Sequence, residues 1–489
     1  MEKKKTIIFL MTLVLLIGGI YFVNNIYQNK NKINKTKRRK QNNLAIMIKE
    51  ENASDYTKSS SNDIPIGNYI LNEDKTHCEN NGKILSYDNT TGKVKFSFVG
   101  SDRCYLYFDY YNEPRIGYEA ILLDNSNGAI SVEDAKSYIE EKGTPDFNEI
   151  ADTNEGMFAY EEDGGKTYYF RGAIDNNWVK FGKFKEDFIM YRGYYDENST
   201  DDYIDYQTMD DCTTGVNEEL YESGYNYNCH EIKYASKNED MYWRIIRIDK
   251  DNKIRLIYAG NTAPNINQKI MLTGEKSTMG TISYNTNYNQ SEYVGFQYTI
   301  GLQRQDTTKE VNDSTIKTYL DNWYLKYFNS NKVGLITTTF CNDRNVTGYN
   351  NITWNSNTTS YSYDAYWRLR SVKPKPSLKC NENDNFTNNI GLLTADEILL
   401  SGILEADKFK KNNNHFLIID HYYWTATPAG YIVQESNTVD GAEVYAFSSD
   451  GIFEEVTTYN YLPVKGVITL SAEVKLTGKG TWDNVYEVQ

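Results

Sequence analysis

Six cysteines, Cys78, Cys104, Cys212, Cys229, Cys341 and Cys380, fall in three close couples along a chain of 489 residues. Their number is even, their spacings are long and no C-x-x-C occurs, a pattern of disulfides rather than of a zinc site or a redox pair. Six thiols allow fifteen pairings. The most economical is sequential, Cys78–Cys104, Cys212–Cys229 and Cys341–Cys380, because each bridge then stays inside one local segment. Each would close a loop of some tens of residues, worth roughly 3–4 kcal/mol in the chain-entropy model. Such bridges imply an oxidising compartment and therefore a body outside the cytoplasm.

The N-terminus supplies a means of holding the body there. Lys3, Lys4 and Lys5 precede eighteen uncharged residues, Thr6–Val23 (TIIFLMTLVLLIGGIYFV). As a helix these would span roughly 27 Å, about one hydrocarbon core. The next residues, Asn24, Asn25, Ile26 and Tyr27, have no small-residue cleavage pattern, so the segment reads as an uncleaved signal anchor. Residues 1–5 are the expected cytoplasmic tail, 6–23 the membrane span and 24–63 a flexible basic and polar stalk. Lys30, Lys32, Lys35, Lys37, Arg38, Arg39 and Lys40 outnumber the three lysines before the span. Taken alone, that asymmetry would keep the body inside; the cysteines argue the other way, and the expectation is a single-pass protein with an extracellular C-terminal body.

Charge divides along the same line. Residues 1–40 hold ten Lys/Arg and one Glu, so with a net charge of −15 overall the remaining chain carries −24. No basic stripe stands out beyond residue 40, and an acidic body repels phosphate backbones, so nucleic acid is not an expected partner. Mean hydropathy is low at −0.66, yet 43 Tyr, 19 Phe and 7 Trp supply enough apolar area for folded cores. The tyrosines suit a recognition surface, although an AT-rich genome would enrich them everywhere.

Local patterns place the elements. In the expected β-module, 64–112, KILSYD and KVKFSFVG form a hairpin across NTTG, with Val94, Phe96 and Phe98 on one face. CYLYF adds a strand, and the Cys78–Cys104 bridge supports a unit too small to be robust alone. In 113–235, a β-rich connecting region, one short helix is predicted from Ser131 as N-cap of VEDAKSYIEEK, ending at Gly143. MFAYEED and KTYYFRG make a hairpin over two glycines, followed by NWVKFGKF. From 236 to 489, YWRIIRID and KIRLIYAG form the strongest hairpin. STIKTYLDNWYLKYF is an amphipathic helix capped by Ser314, with Ile316, Leu320, Trp323 and Tyr327 on one stripe. GLLTADEILLSG is a second helix, with Thr394 and Glu397 as a capping box. YYWTAT, EVYAFSSDGIFEEV and GVITLSAEVKL are strands. The fold class is α+β.

The ordered elements MYWRIIRID, IKTYLDNWY, FCNDR, GLLTADEIL, YYWTATP, VYAFSSDG and VITLSAEVKLTGKGTWDNVYEVQ resemble a group of uncharacterised surface proteins of low-GC Gram-positive bacteria, over roughly residues 150–489. More remotely, GLLTADE, YYWTAT and AFSSDG resemble the element order of the C-type lectin-like fold, in its formylglycine-generating-enzyme-like branch. The resemblance implies a C-type lectin-like domain over 236–489. Departures accompany it. Trp482-Asp483-Asn484 has the letters of the sugar-binding W-N-D in another order, Glu113-Pro114-Arg115 lies outside the domain, and Lys465-Gly466 stands where Arg-Pro is expected.

Catalytic chemistry is not legible. His77, His230, His415 and His421 form no metal-ligand spacing, and no nucleophile elbow, P-loop or dinucleotide fingerprint occurs. Asp196–Asp211 lacks the glycine and glutamate positions of a calcium loop and reads as a solvated acidic loop. Carboxylate pairs form only in three dimensions. The sequence therefore predicts no catalytic, cofactor-binding or metal-binding residue. It predicts a membrane-anchored surface protein with a ligand-binding or adhesion module for a glycan, wall polymer or protein. The alternatives are a structural envelope protein without a small ligand and an enzyme acting on wall polymer. The Cys341–Cys380 bridge would fasten the long loop region in which lectin-like folds hold ligands.

Overall fold

The computed structural model describes residues 44–489 apart from 51–52, 62, 67–68, 81, 89–90, 98–101, 111–113, 128, 130, 163, 195–202, 215–228, 271–273, 303–307, 330–333, 346–359, 381–383, 406–413 and 434–438. The expected tail, span and basic run thus lie outside the described residues. Among those described, no helix is long and apolar enough to cross a membrane. The chain forms two compact units, Met1–Glu113 and Pro114–Gln489.

In the first unit, strand Cys104–Tyr110 is the centre of a five-stranded sheet. Its alternation turns Cys104, Leu106 and Phe108 inward, where Leu106 and Phe108 meet Ile46, Ile84, Tyr87, Val94 and Phe96. Tyr69–Leu71 and His77–Cys78 pair with it antiparallel. Leu44–Lys49 pairs with it in parallel, Leu44 opposite Cys104 and Lys49 opposite Asp109. This corrects the expected stalk: LAIMIK, in the middle of 24–63, is an apolar strand of the module. Its partner lies some sixty residues on, beyond the reach of local pattern. The Lys83–Asp88 and Lys93–Ser97 hairpin forms as expected; Phe98 lies outside the described residues.

The second unit is built on an eleven-stranded sheet. Asp240–Ile248 pairs with Ile254–Gly260, setting Trp243 opposite Tyr258, Ile245 opposite Leu256 and Ile248 opposite Ile254. Its other partners are Trp178–Phe184 and Gly165–Gly172, and Gly165–Gly172 pairs with Asn154–Glu162. The region 113–235 is therefore no separate connector, because its strands complete the sheet of the C-terminal body. It holds three helices among the described residues rather than one: Gly117–Asp124, Val132–Glu140 and Met209–Thr214. The first begins without a side-chain cap, so it carries no sequence signal at its start. The second is capped as expected, Ser131 accepting from the Asp134 N–H.

Helix Thr315–Tyr327 is capped by Ser314 and buries Ile316, Leu320, Trp323 and Tyr327. A five-stranded sheet runs Tyr361–Ser362, Tyr423–Val433, Val439–Phe447, Ile452–Thr457, Leu404–Glu405. One continuous core holds Trp243, Trp323 and Trp424. The protein is a strand-rich α+β fold with three disulfides, Cys78–Cys104, Cys212–Cys229 and Cys341–Cys380, the sequential pairing.

Candidate functional site, a charged cleft beside the Cys341–Cys380 disulfide

Two short elements build the floor of this site. The first is the hairpin, whose register sets Arg247 opposite Arg255, so both guanidinium groups leave the same face of the sheet. The second is helix Ala395–Leu400. Its capping box fixes Glu397: the Thr394 side chain accepts the Glu397 N–H, and Glu397 Oε2 accepts the Thr394 N–H at 3.0 Å. Glu397 Oε1 is left to the arginines. Arg247 Nε donates to it at 2.8 Å. Arg255 Nε lies 2.7 Å away, but off the hydrogen-bonding direction. Glu397 is 2 % exposed. Desolvation would raise its pKa, but the Arg255 and Arg247 cations outweigh burial and hold it below the usual carboxylate range. Desolvation lowers Arg255 to about 10, so it remains a cation at neutral pH.

The motif FCNDR supplies the wall. Phe340 enters the core and Cys341 its disulfide. Asn342 donates its N–H to the Asp384 carbonyl at 2.9 Å. Asp343 sits in the left-handed region, φ 48°, which aspartate tolerates better than most residues. Arg344 and Asp384, both fully buried, pair at 3.3 Å. Arg368, from helix Asp364–Arg370, grips Asp396 in a bidentate pair at 2.8 and 2.6 Å and donates from Nη2 to Asp343 as well. Desolvation raises the Asp343 carboxyl to about 7; Arg368 opposes this, and Asp396 adds repulsion. Arg368 thus stands between the two carboxylates.

Over this floor lies a cleft of about 370 Å³, lined by Lys250 and Lys253 of the hairpin turn, Thr337, Thr338 and Thr339, and the Cys341–Cys380 bridge with Lys379. In the first unit, a separate groove of about 770 Å³ runs between Tyr69, His77, Lys83 and Tyr87. Each unit carries its own concavity.

Sequence reading located the disulfide and the capping box but missed the cluster they frame. Arg247, Arg255, Asp343, Arg368 and Asp396 come from four separate segments; MYWRIIRID, FCNDR and GLLTADEIL hold Arg247, Asp343 and Asp396, but nothing in those motifs shows that they meet. Asp205, read as part of a solvated acidic loop, is fully buried. It accepts from Arg192 at 2.7 and 2.9 Å and from the Tyr234 hydroxyl at 2.5 Å, because Tyr203–Tyr206 is a strand of a three-stranded sheet. The start of that stretch, 196–202, lies outside the described residues. His415 is buried and neutral: desolvation lowers it to about 3. Its Nε2 lies 2.7 Å from the Ser401 carbonyl, and its Nδ1 accepts the Leu417 N–H at 3.1 Å. Asp483 accepts the Thr481 hydroxyl at 2.7 Å within the terminal turn. The Cys78 and Cys104 sulfurs lie near Asp102 but are bonded to each other. Comparison with known proteins finds no matching family model, no matching curated protein and no matching solved structure.

Proposed function

We propose that the chain is a single-pass envelope protein, anchored through residues 6–23, whose extracytoplasmic body binds its ligand in the cleft beside Cys341–Cys380. The disulfides support the compartment, since such bonds persist where glutathione and thioredoxin do not reach. The observation that carries the binding site is the cleft itself: a concavity lined by threonine hydroxyls and rimmed by Lys250, Lys253, Asp249 and Asp251, over a prearranged Arg–carboxylate floor and walled by a covalent bridge. Such a floor holds the lining in place before a ligand arrives, which reduces the ordering cost of binding. A C-type lectin-like domain remains our reading of the body. The order of hairpin, capped helix, disulfide-bounded loop, second capped helix and strand meander favours it.

Binding fits the cleft better than hydrolysis does. A glycosidase pair leaves its two carboxylates facing a gap that admits the sugar and, in inverting enzymes, a water. Here Arg368 occupies the space between Asp343 and Asp396. The test is a glycan array and an envelope-polymer pull-down with the full chain, repeated with Thr339→Trp to fill the cleft from an exposed lining position. The proposal expects a ligand that the variant no longer retains. Undiminished binding by the variant would remove the cleft from the account, and the absence of any ligand would favour a purely structural envelope role. Topology has its own test: protease added to intact protoplasts should digest the body, and full protection would refute the outside assignment.

A further inference from the structure

The acidic balance of the body conceals a basic segment. RSVKPKPSLK, residues 370–379, carries Arg370, Lys373, Lys375 and Lys379 and no acidic residue. Pro374 and Pro376 are buried, while Val372, Lys373, Lys375 and Lys379 are exposed. The backbone is fastened at three points. Lys375 N donates to the Arg368 carbonyl at 3.1 Å, Ser377 N donates to Asp396 Oδ1 at 2.8 Å, and the Pro376 carbonyl accepts the Tyr160 hydroxyl. With prolines facing in and lysines out, Lys373 and Lys375 stand roughly 6–7 Å apart on one side of an extended strip.

Arginines engage the acids next to the strip, the Arg368 guanidinium being shared between two carboxyl groups. Arg368 takes Asp343 and Asp396, and Arg370 Nη1 lies 2.8 Å from Glu455. Among the described residues, neither Lys373 nor Lys375 has an ion-pair partner. Two apolar side chains accompany them into solvent: Trp367 is 54 % exposed and Val372 84 %. The strip leads through Lys379 to the cleft, whose rim carries Lys250 and Lys253 interleaved with Asp249 and Asp251, Lys253 pairing with Asp251 at 3.2 Å, beside the exposed Thr337 and Thr339.

We infer that the strip and cleft bind a linear polymer of phosphodiester-linked polyols, an inference that rests on the cleft being the ligand site. The exposed lysines of the strip suit successive phosphates, the threonines suit polyol hydroxyls, and the Trp367 ring offers a flat face to carbon backbone between charges. A strip running into a concave cleft fits a chain better than the plane of a bilayer. A nucleic-acid strand would want several stacking platforms, whereas among the described residues of 360–379 Trp367 is the one exposed aromatic ring, and the body is acidic.

The experiment titrates the full chain with poly(glycerol phosphate), and with neutral dextran, phosphatidylglycerol vesicles and oligothymidylate as comparators. Binding to poly(glycerol phosphate) should weaken on the order of tenfold between about 50 and 200 mM salt, as expected for a few released counterions. Lys373→Glu with Lys375→Glu should weaken it at low salt by a similar factor, with the melting temperature unchanged. Trp367→Ala should weaken binding without altering the salt slope. Wild-type affinity in the double lysine variant, or equal binding to vesicles or oligothymidylate, would overturn the inference. Capture of a neutral glycan that Thr339→Trp abolishes, with no polyanion bound, would overturn it while leaving the cleft standing. No ligand at all would overturn both.

Discussion

Glu397 shows how much one side chain can hold. It caps a helix and is the carboxylate partner of two arginines from a different part of the sheet. Glu397→Gln would deprive Arg247 and Arg255 of their buried carboxylate partner, leaving Asp249 as a weaker attraction on Arg255. Breaking a buried pair in this way costs about 3–5 kcal/mol, whereas losing only the cap through Thr394→Ala costs about 1 kcal/mol; chemical denaturation of the two variants should rank them in that order. The pH sign is set by the depressed pKa of Glu397. Its contribution is fully present above the ordinary carboxylate range and is lost as pH falls through its lower folded value.

Lys465 behaves in the opposite sense. It is buried, its Nζ donates to the Ser277 carbonyl at 2.9 Å, and desolvation with the nearby Arg244 cation lowers it to about 7, against a pull upward from Asp420. From about pH 7 to the ordinary lysine value near 10.4, the unfolded chain holds a proton that the folded chain has released. Stability should therefore rise with pH across that window. Lys465→Met should flatten the rise in a series of melting curves from pH 7 to 10; an unchanged slope would contradict the assignment to Lys465.

At the scale of elements, the hairpins and helix caps were legible because each is determined within about ten residues. The strands on either side of NTTG and of the Gly164-Gly165 stretch pair as hairpins, and Ser131, Ser314 and Thr394 cap their helices where the pattern places them. The strand Leu44–Lys49 and the helix Gly117–Asp124 were not legible. One is defined by a distant parallel partner and the other starts without a cap. Gly172 marks a tertiary demand of the same kind. At φ 96° it sits at a register shift, and a Cβ there would lie 1.9 Å from the Thr153 carbonyl oxygen. Gly172→Ala should destabilise the second unit far beyond the ~1 kcal/mol of an ordinary glycine substitution.

The Cys341–Cys380 bridge spans a sequence separation of 39. Loop closure over that span is worth on the order of 4 kcal/mol in the entropic model. Cys341→Ser with Cys380→Ser should lower the melting temperature and expose the chain between Asn342 and Lys379 to protease. Unchanged melting and unchanged cleavage would show that the cleft wall is held by Arg344–Asp384 and Arg368–Asp396 instead.

Across the whole molecule, total charge was a misleading guide. A body carrying a large negative excess suggested no positive surface beyond residue 40. The basic strip at 370–379 escaped that sum because four cations in one short segment are outweighed by acids elsewhere in the body; folding adds that its acidic neighbours, Asp343, Asp396 and Glu455, are engaged by arginines. The candidate cleft was illegible for a related reason: its charges come from segments up to about 150 residues apart, and only folding decides which of many acids meet which cations. The cysteines were legible because local pairing leaves a trace in spacing.

Those cysteines also carry the central claim, that the body matures outside the cytoplasm. The most direct measurement is non-reducing peptide mapping of the protein taken from its native envelope, with thiols blocked at lysis. The account predicts three linked peptide pairs, Cys78 with Cys104, Cys212 with Cys229 and Cys341 with Cys380, and no blocked thiol. Six blocked thiols would contradict an oxidising compartment, and a peptide joining Cys341 to any cysteine but Cys380 would contradict the wall of the cleft.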